Sequence, residues 1–189
     1  MKKISILIIF FICSCSTNRH IDDLVQIEQI NSNYPVILRG DIEKNEIFAL
    51  KFMFAYKIRK KSSKKIDLKR DCNYYSKRRG NWRGGNFAYL NKNGELSNDT
   101  EYLDYNYKEY YVGYQYGYLD SDTLTQRIFQ PYMEKTKQEN KDTLHIESIQ
   151  ELKKINPELI NGFLQGDSIR FRFRYGKKYG TITLPVEVK

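Results

Sequence analysis

The side chains that most often carry out chemistry in proteins are scarce in this chain. Its 189 residues include two histidines, His20 and His145, and three cysteines. An ordinary zinc or copper site needs three or four such ligands, and serine or cysteine catalysis needs a nucleophile beside a base. No nucleophile motif surrounds any serine or Cys72, and no glycine loop has phosphate-site spacing. The sequence therefore predicts no catalytic residue, no metal site and no cofactor.

The first fifteen residues have the pattern of a secretory signal. Two lysines precede a predominantly apolar segment, 4–12, and Ile12-Cys13-Ser14-Cys15 follows with a small residue before a cysteine. The apolar segment is shorter than the about 20 residues that span a membrane, so we expect it to be removed. Its end resembles the lipobox of bacterial lipoproteins, in which the cysteine after the cleavage site is lipidated. The resemblance implies that residues 1–14 are removed and that Cys15 carries acyl chains.

This resemblance also implies a location. Buried acyl chains contribute about 0.8 kcal/mol per methylene, so several chains hold a protein to a membrane permanently. Polar Ser16 follows the cysteine, as in lipoproteins that are sorted to the outer membrane. We therefore expect a bacterial cell-envelope protein, lipid-anchored at the outer membrane. Residues 15–33 are predicted to be the lipidated N-terminus and tether, and residues 34–189 a single globular domain.

Basic residues are concentrated in one segment. The whole chain has a net charge of +9, and residues 57–83 alone hold twelve lysines and arginines against Asp67 and Asp71. Behind a secretory signal we expect no nucleic-acid partner; an acidic protein, an acidic polysaccharide or an anionic phospholipid fits better. A solvated loop without a partner is the alternative. We predict a long loop over residues 60–85, with the candidate anion-binding or partner-binding residues Lys77, Arg78, Arg79, Trp82 and Arg83.

Two segments alternate large apolar residues with smaller or polar ones, which is typical of strands that bury one face. The first is 48–58, where Phe48 begins the apolar face and 36–38 forms the partner strand. The second ends at residue 118 and places tyrosines opposite glycines. Exposed rings can stack on sugars, although a core built with tyrosine is the alternative. The candidate aromatic platform consists of Tyr110, Tyr114, Tyr116 and Tyr118.

The C-terminal segment has the pattern of a hairpin with a turn at Gly176. Apolar residues from Ile169 to Tyr175 alternate with three arginines, Arg170, Arg172 and Arg174. A period of two predicts buried phenylalanines on one face and a row of arginines on the other. The arginines are candidates to bind an anion, or to pair with acids such as Glu187 across the strands.

Helical signals lie between these strand patterns. Asp122 precedes a helix that Pro131 is expected to kink or divide, Ser148 and Glu151 form a capping box, and Pro157 begins another short helix. Together the signals predict an α+β fold. We expect a single domain with an antiparallel β-sheet and two or three short helices packed on one side.

Three tripeptides indicate a possible modification. Asp122-Thr123-Leu124, Asp142-Thr143-Leu144 and Asp167-Ser168-Ile169 resemble a bacterial O-glycosylation motif, in which an aspartate precedes and an aliphatic residue follows the acceptor. Each tripeptide also has the composition of a turn or a helix cap. The candidate O-glycosylation sites are Thr143, Thr123 and Ser168.

The function that fits these features best is a non-enzymatic binding or interaction domain, held at the membrane by its N-terminal lipid. One alternative is an immunity protein that neutralises a toxin directed at the envelope. Another is a carboxylate-dependent envelope hydrolase, for which Asp99, Glu101 and Asp104 would supply the acid pair. A deep pocket enclosing two acids would favour the hydrolase.

Overall fold

The computed structural model describes residues 20–77, 80–90, 96, 109–118 and 123–188. Within these ranges the chain forms four helices and nine strands. In chain order they are α1 (Ile21–Leu24), β1 (Val25–Ile30), β2 (Pro35–Asp41), β3 (Glu46–Lys60), β4 (Ile66–Ser76), β5 (Asn81–Leu90), β6 (Glu109–Tyr118), α2 (Thr123–Glu139), β7 (Thr143–Ser148), α3 (Ile149–Ile155), α4 (Pro157–Leu164), β8 (Ser168–Tyr175) and β9 (Lys178–Pro185).

The folded part of the chain begins earlier than the sequence predicts. α1 buries Ile21 and Leu24, and β1 pairs antiparallel with the C-terminal half of β3, with Val25 opposite Lys60. The prediction of a tether over residues 15–33 is therefore wrong for 21–30. Only six residues form β1, and it becomes a strand because the long β3 offers an edge on which to pair. The signal segment and Cys15 lie outside the described residues.

The long strand β3 is confirmed, together with its β2 partner. Leu50, Phe52 and Phe54 on one face are buried, as the period-two pattern predicts. Phe48 is the exception because its side chain is 38% exposed and lies under the guanidinium of Arg39, at 5.2 Å from the ring centroid. The apolar face of β3 thus enters the core only from Leu50 onward.

The sheet curls over its own apolar face. Its strand order is β7-β2-β3-β6-β5-β4-β8-β9, with β1 also on β3. Tyr56 of β3 meets Phe171 of β8 edge-on, with ring centroids 4.9 Å apart, although three strands separate β3 from β8 in this order. Phe87 of β5 stacks on the same Phe171 at 4.9 Å. The core is therefore the aromatic interior of a bent, entirely antiparallel sheet.

The predicted loop over residues 60–85 is wrong, because β4 and half of β5 lie in it. The buried positions of β4 alternate through Cys72, Tyr74 and Ser76, of which only the tyrosine is a strong strand former. An irregularity between Leu68 and Cys72 also breaks the period where β4 pairs with β8. Because the buried side chains are small and the period is interrupted, β4 shows no alternation of large apolar residues in the sequence.

The helices begin as their local sequence predicts. Ser148 and Glu151 exchange the two hydrogen bonds of a capping box at α3, and Asn156 caps α4 in front of Pro157. α2 continues through Pro131 for 17 residues, so this proline does not divide it. The α+β class is confirmed: among the described residues every strand pair is antiparallel, and there are four helices rather than two or three short ones. Within the described ranges, no helix is both long and apolar enough to cross a membrane.

A buried carboxylate links the β4–β5 turn to the start of β8. Asp167 is only 2% exposed, and it accepts hydrogen bonds from the Tyr74 hydroxyl and the Lys77 backbone N–H, both at 2.8 Å. Burial raises the pKa of Asp167, while these two hydrogen bonds act in the opposite direction. The charged form is therefore held at a net cost, because desolvation outweighs the hydrogen bonds.

Replacing Asp167 with asparagine should change how stability depends on pH. Because the folded-state pKa is raised above the unfolded value, the folded wild type binds more protons and loses stability as pH rises from about 4 through that pKa. Asp167→Asn lacks this titration and retains groups that can bond to Tyr74 and Lys77. We expect the variant to gain stability relative to the wild type between about pH 4 and pH 7, as measured by urea unfolding.

The matched control is Gln165→Asn, because Gln165 is exposed two residues before Asp167 and neither glutamine nor asparagine titrates. Its stability difference from the wild type should stay nearly constant over the same pH range. A constant difference for Asp167→Asn as well would show that the buried carboxylate has an unshifted pKa.

Candidate functional site

The three arginines of β8 project from the outer face of the sheet. Ile169, Phe171 and Phe173 are fully buried, so the alternate side chains of the same strand face away from the core. Arg172 is exposed, while Arg170 and Arg174 are partly exposed. The predicted arginine row is confirmed. We call this surface the arginine face and define it by Asp67, Lys69, Asp71, Tyr75, Trp82, Arg170, Arg172, Arg174 and Tyr179.

At one end of the arginine face, Arg170 covers Trp82. The register pairs Trp82 with Tyr75 and Arg170 with Asn73 on the two sides of β4. The Arg170 guanidinium carbon lies 4.0 Å from the Trp82 ring centroid, and the Tyr75 ring lies beside the indole at 5.2 Å. A cation over an indole is the most favourable cation–π geometry. The indole remains 40% exposed, so the stack is open to solvent.

The middle of the face repeats this arrangement around Tyr179. Arg172 lies over the Tyr179 ring at 4.9 Å, and the Lys69 ammonium lies 6.0 Å from the ring centroid. The guanidinium also pairs with Asp71 at 3.4 Å. Tyr179 is 53% exposed. A second exposed aromatic ring is thus held between two cations.

Arg174 at the other end of the face is neutralised within the fold. Its Nε and Nη2 groups donate to the same oxygen of Asp67, at 3.1 and 2.8 Å. The acids that pair with the arginine row thus come from β4 rather than from Glu187, whose backbone bonds to Gln29. Among the described residues, Arg170 has no carboxylate partner. No described acid therefore neutralises its charge.

The described members of the predicted basic cluster around Trp82 do not lie on one side of the sheet. Lys77 lies in the β4–β5 turn, with its side chain against Gly166. Arg83 is exposed, but it lies opposite Tyr74 and therefore on the other side of the sheet from Trp82. Arg78 and Arg79 lie outside the described residues. Trp82 contacts Arg170 instead, because strand pairing rather than sequence proximity brings these residues together.

The candidate aromatic platform is contradicted at Tyr114, the one member whose side chain the structure describes. Tyr114 is 3% exposed and stacks on Tyr74 at 5.7 Å. Gly85 makes room for it, since a Cβ there would lie 2.6 Å from the Tyr114 ring. The other three tyrosines pair in register with buried residues of β3: Tyr110 with Ile58, Tyr116 with Phe52 and Tyr118 with Leu50.

Residues with catalytic potential are placed unfavourably for catalysis. Burial, together with the nearby Asp71 carboxylate, raises the pKa of the Cys72 thiol to about 12, so the thiol is protonated and a poor nucleophile at neutral pH. His145 is exposed on β7 at the edge of the sheet. Among the described residues, no group of three histidines, cysteines or acids is placed to hold a metal ion. Asp99, Glu101 and Asp104 lie outside these residues.

A pocket of about 200 Å³ opens between the helices α2, α3 and α4. Its lining is apolar apart from Tyr132 and Asn156 and includes no carboxylate. It is therefore not the pocket with two acids that a carboxylate-dependent hydrolase requires.

The three candidate glycosylation sites differ in accessibility. Thr123 is exposed at the start of α2. Thr143 begins the edge strand β7, is partly exposed and donates to Asp142 at 2.9 Å. Ser168 lies within β8 directly after the buried Asp167. A glycosylating enzyme that recognises the aspartate could contact the exposed Asp142 before Thr143 but not the buried Asp167 before Ser168. Thr143 and Thr123 therefore remain proposed sites.

No protein family, curated protein or solved structure matches this chain.

Proposed function

We propose that this chain is a lipid-anchored protein of the bacterial outer membrane that acts by binding an acidic protein through the arginine face. The observation that carries the proposal is the open stack of Arg170 on Trp82, with Tyr75 beside it. Tryptophan, tyrosine and arginine are the side chains that most often dominate the binding energy of protein interfaces. Their juxtaposition on an exposed face is the feature that such an interface requires.

The strands hold this face in a fixed shape. Arg170, Trp82 and Tyr75 each lie on a different strand of a hydrogen-bonded sheet, and their rings and guanidinium already contact one another. A partner would therefore bind side chains that are largely ordered, which lowers the entropic cost of association. Tyrosine and tryptophan side chains also supply a large contact area at a low cost in conformational entropy.

An acidic partner fits the charge of the face. Asp67 and Asp71 neutralise Arg174 and Arg172, while Arg170 and Lys69 add positive charge beside the two exposed rings. A carboxylate on the partner could reach Arg170 at the edge of the indole. The immunity role is one form of this proposal, in which the acidic partner is a toxin.

The proposal treats the described residues as one domain with its helices on one side of the sheet. Met133 of α2 lies against Gly40 of β2, and Phe163 of α4 contacts Phe52 of β3. Both contacts are on the face that carries Leu50, since Leu38 and Leu50 pair in register. This leaves the arginine face of β4, β5, β8 and β9 uncovered by these helices.

The test is photo-crosslinking in cells from Thr181, which is exposed and lies opposite Arg172. A photoreactive amino acid at this position should yield a discrete protein adduct. The double substitution Trp82→Ala and Arg170→Ala should lower its yield about tenfold or more, because hot-spot residues cost 2 kcal/mol or more when truncated.

The matched control is Arg39→Ala with Phe48→Ala, which removes another exposed cation–π pair and should leave the adduct unchanged. Equal adduct yields with and without the Trp82 and Arg170 substitutions would contradict the proposed interface. An adduct that contains only polysaccharide would contradict a protein partner.

A further inference from the structure

Strand β4 divides the basic segment of the sequence into two separate surfaces. Ile66 and Ser76 are its ends, and eleven residues of strand extend over about 30 Å. The lysines that precede β4 therefore lie far from Lys77 and Trp82, which follow it. A segment that is continuous in sequence has become two clusters at opposite ends of the sheet.

The first cluster lies where the folded chain begins. The Lys61 backbone N–H donates to the Leu24 carbonyl at 2.8 Å, and the Lys61 ammonium lies 3.4 Å from the Asp22 carbonyl. Ile21 packs against Gly180 of β9. Ile66 pairs with Tyr175, and Tyr175 pairs with Lys178 across the hairpin turn. α1, the β3–β4 turn and the β8–β9 turn thus meet at one end of the molecule, which we call the basic end and define as residues 20–24, 59–65 and 176–178.

The basic end has a large excess of positive charge. It carries seven basic residues against two acids, Asp22 and Asp23. Six of the seven basic residues are exposed, and Lys60 is partly exposed. The basic residues are Arg59, Lys60, Lys61, Lys64, Lys65, Lys177 and Lys178.

The length of the N-terminal segment places this end close to any membrane that holds Cys15. Four residues lie between Cys15 and His20, so their Cα atoms are five steps apart and at most about 17 Å from each other when the chain is fully extended. Charges near an anionic membrane are attracted within about one Debye length, which is about 8 Å at physiological ionic strength. A tether this short lets the basic end come within one Debye length of the membrane surface. The opposite end of β4, beside Trp82, then points away from the membrane.

We propose that the basic end docks on the anionic phospholipid headgroups of the membrane that holds the lipid anchor. The proposal rests on the proposed function, because it uses the anchor at Cys15 to select the membrane as the partner. Lysine ammonium groups pair with the lipid phosphates, and the docked domain presents Trp82 and Arg170 on its membrane-distal side. One end of β4 thus faces the membrane, and the other end carries Trp82.

The experiment measures lysine acetylation site by site on the acylated protein, by mass spectrometry. The protein is mixed with vesicles of phosphatidylcholine alone or with about 30% phosphatidylglycerol, which carry little or much negative surface charge. On anionic vesicles at about 0.15 M salt, Lys61, Lys64 and Lys177 should react about threefold more slowly than on neutral vesicles. About 1 M salt should remove the difference, because it shortens the Debye length to about 3 Å.

Lys77 and Lys154 are internal controls, since Lys77 lies at the far end of β4 and Lys154 on α3; neither should change. Lys61→Glu, Lys64→Glu and Lys65→Glu together should abolish the protection of Lys177. Lys135→Glu, Lys137→Glu and Lys154→Glu, on α2 and α3, should preserve it.

Equal reaction rates of the three basic-end lysines on both kinds of vesicle would overturn the docking proposal. Equal protection of Lys77 would also overturn it, because the contact would not be confined to one end. The anchor is tested separately: a protein that fails to float with neutral vesicles lacks it. The comparison of acetylation between the two vesicle types still decides whether the basic end binds anionic lipid.

Discussion

Replacing Phe171 with alanine is expected to lower the free energy of unfolding by about 3–5 kcal/mol, the usual cost of truncating a buried phenylalanine. Phe171 is fully buried, meets Tyr56 edge-on and stacks on Phe87. These contacts join β8 to β3 and β5, so the cavity would open where the two halves of the curled sheet meet. A domain of typical stability, about 5–15 kcal/mol, would become marginal. Urea unfolding followed by circular dichroism measures the change.

Phe48→Ala is the matched control, because the same substitution is made on the apolar parity of β3 but at a ring that is 38% exposed. Its only cation–π partner in the described structure is Arg39, and an exposed pair of this kind contributes about 0.5–1 kcal/mol. We expect Phe48→Ala to cost about 1 kcal/mol or less. Equal losses for the two variants would mean that the interior of the sheet is not packed around Phe171.

Replacing Cys15 with alanine is expected to abolish lipid labelling of the protein and to release it from membranes or stall its processing. The acyl chains are attached to this one residue in the proposed anchor, and without them the hydrophobic attachment of the mature chain is lost. Growth with radiolabelled palmitate, followed by membrane fractionation, measures both effects.

Cys13→Ala and Cys72→Ala are the matched controls. Cys13 precedes the proposed cleavage site, and Cys72 is buried in β4, so neither substitution should remove the label. Unchanged labelling of the Cys15→Ala protein would eliminate the anchor from the proposed function.

In the two proposals, the arginine face and the basic end bind different partners. Docking of the basic end would leave Arg170 and Trp82 facing away from the lipid, where another protein can reach them. The two contacts can be separated experimentally, because the Glu substitutions at Lys61, Lys64 and Lys65 lie at the opposite end of β4 from Trp82 and Arg170. Those substitutions leave Trp82 and Arg170 intact. They should therefore not remove the binding site that the adduct from Thr181 reports.

Local sequence was sufficient wherever a pattern is complete within a few neighbouring residues. The alternation of β8 predicted which of its side chains are buried, because successive side chains of a strand point to opposite faces. The Ser148 and Glu151 pair predicted the start of α3, because a capping box is made within one turn. Secretion and lipidation at Cys15 also depend on local residues, and they remain predictions.

Tertiary structure alone decided which residues form the two proposed binding surfaces. Phe48 and Tyr114 both lie on an apolar parity of a strand, yet one is exposed and the other is buried, because burial depends on which strands and helices cover each position. The small residues Cys72, Ser76 and Gly85 gave β4 and the start of β5 no strand pattern in the sequence. Their places in the core depend on the aromatic rings that fill the space beside them. Arg170 met Trp82 only through the pairing of β8, β4 and β5, which no local pattern encodes. The sequence predicts one long basic loop because it records only order along the chain, whereas the extended strand β4 places the two halves of this segment at opposite ends of the sheet.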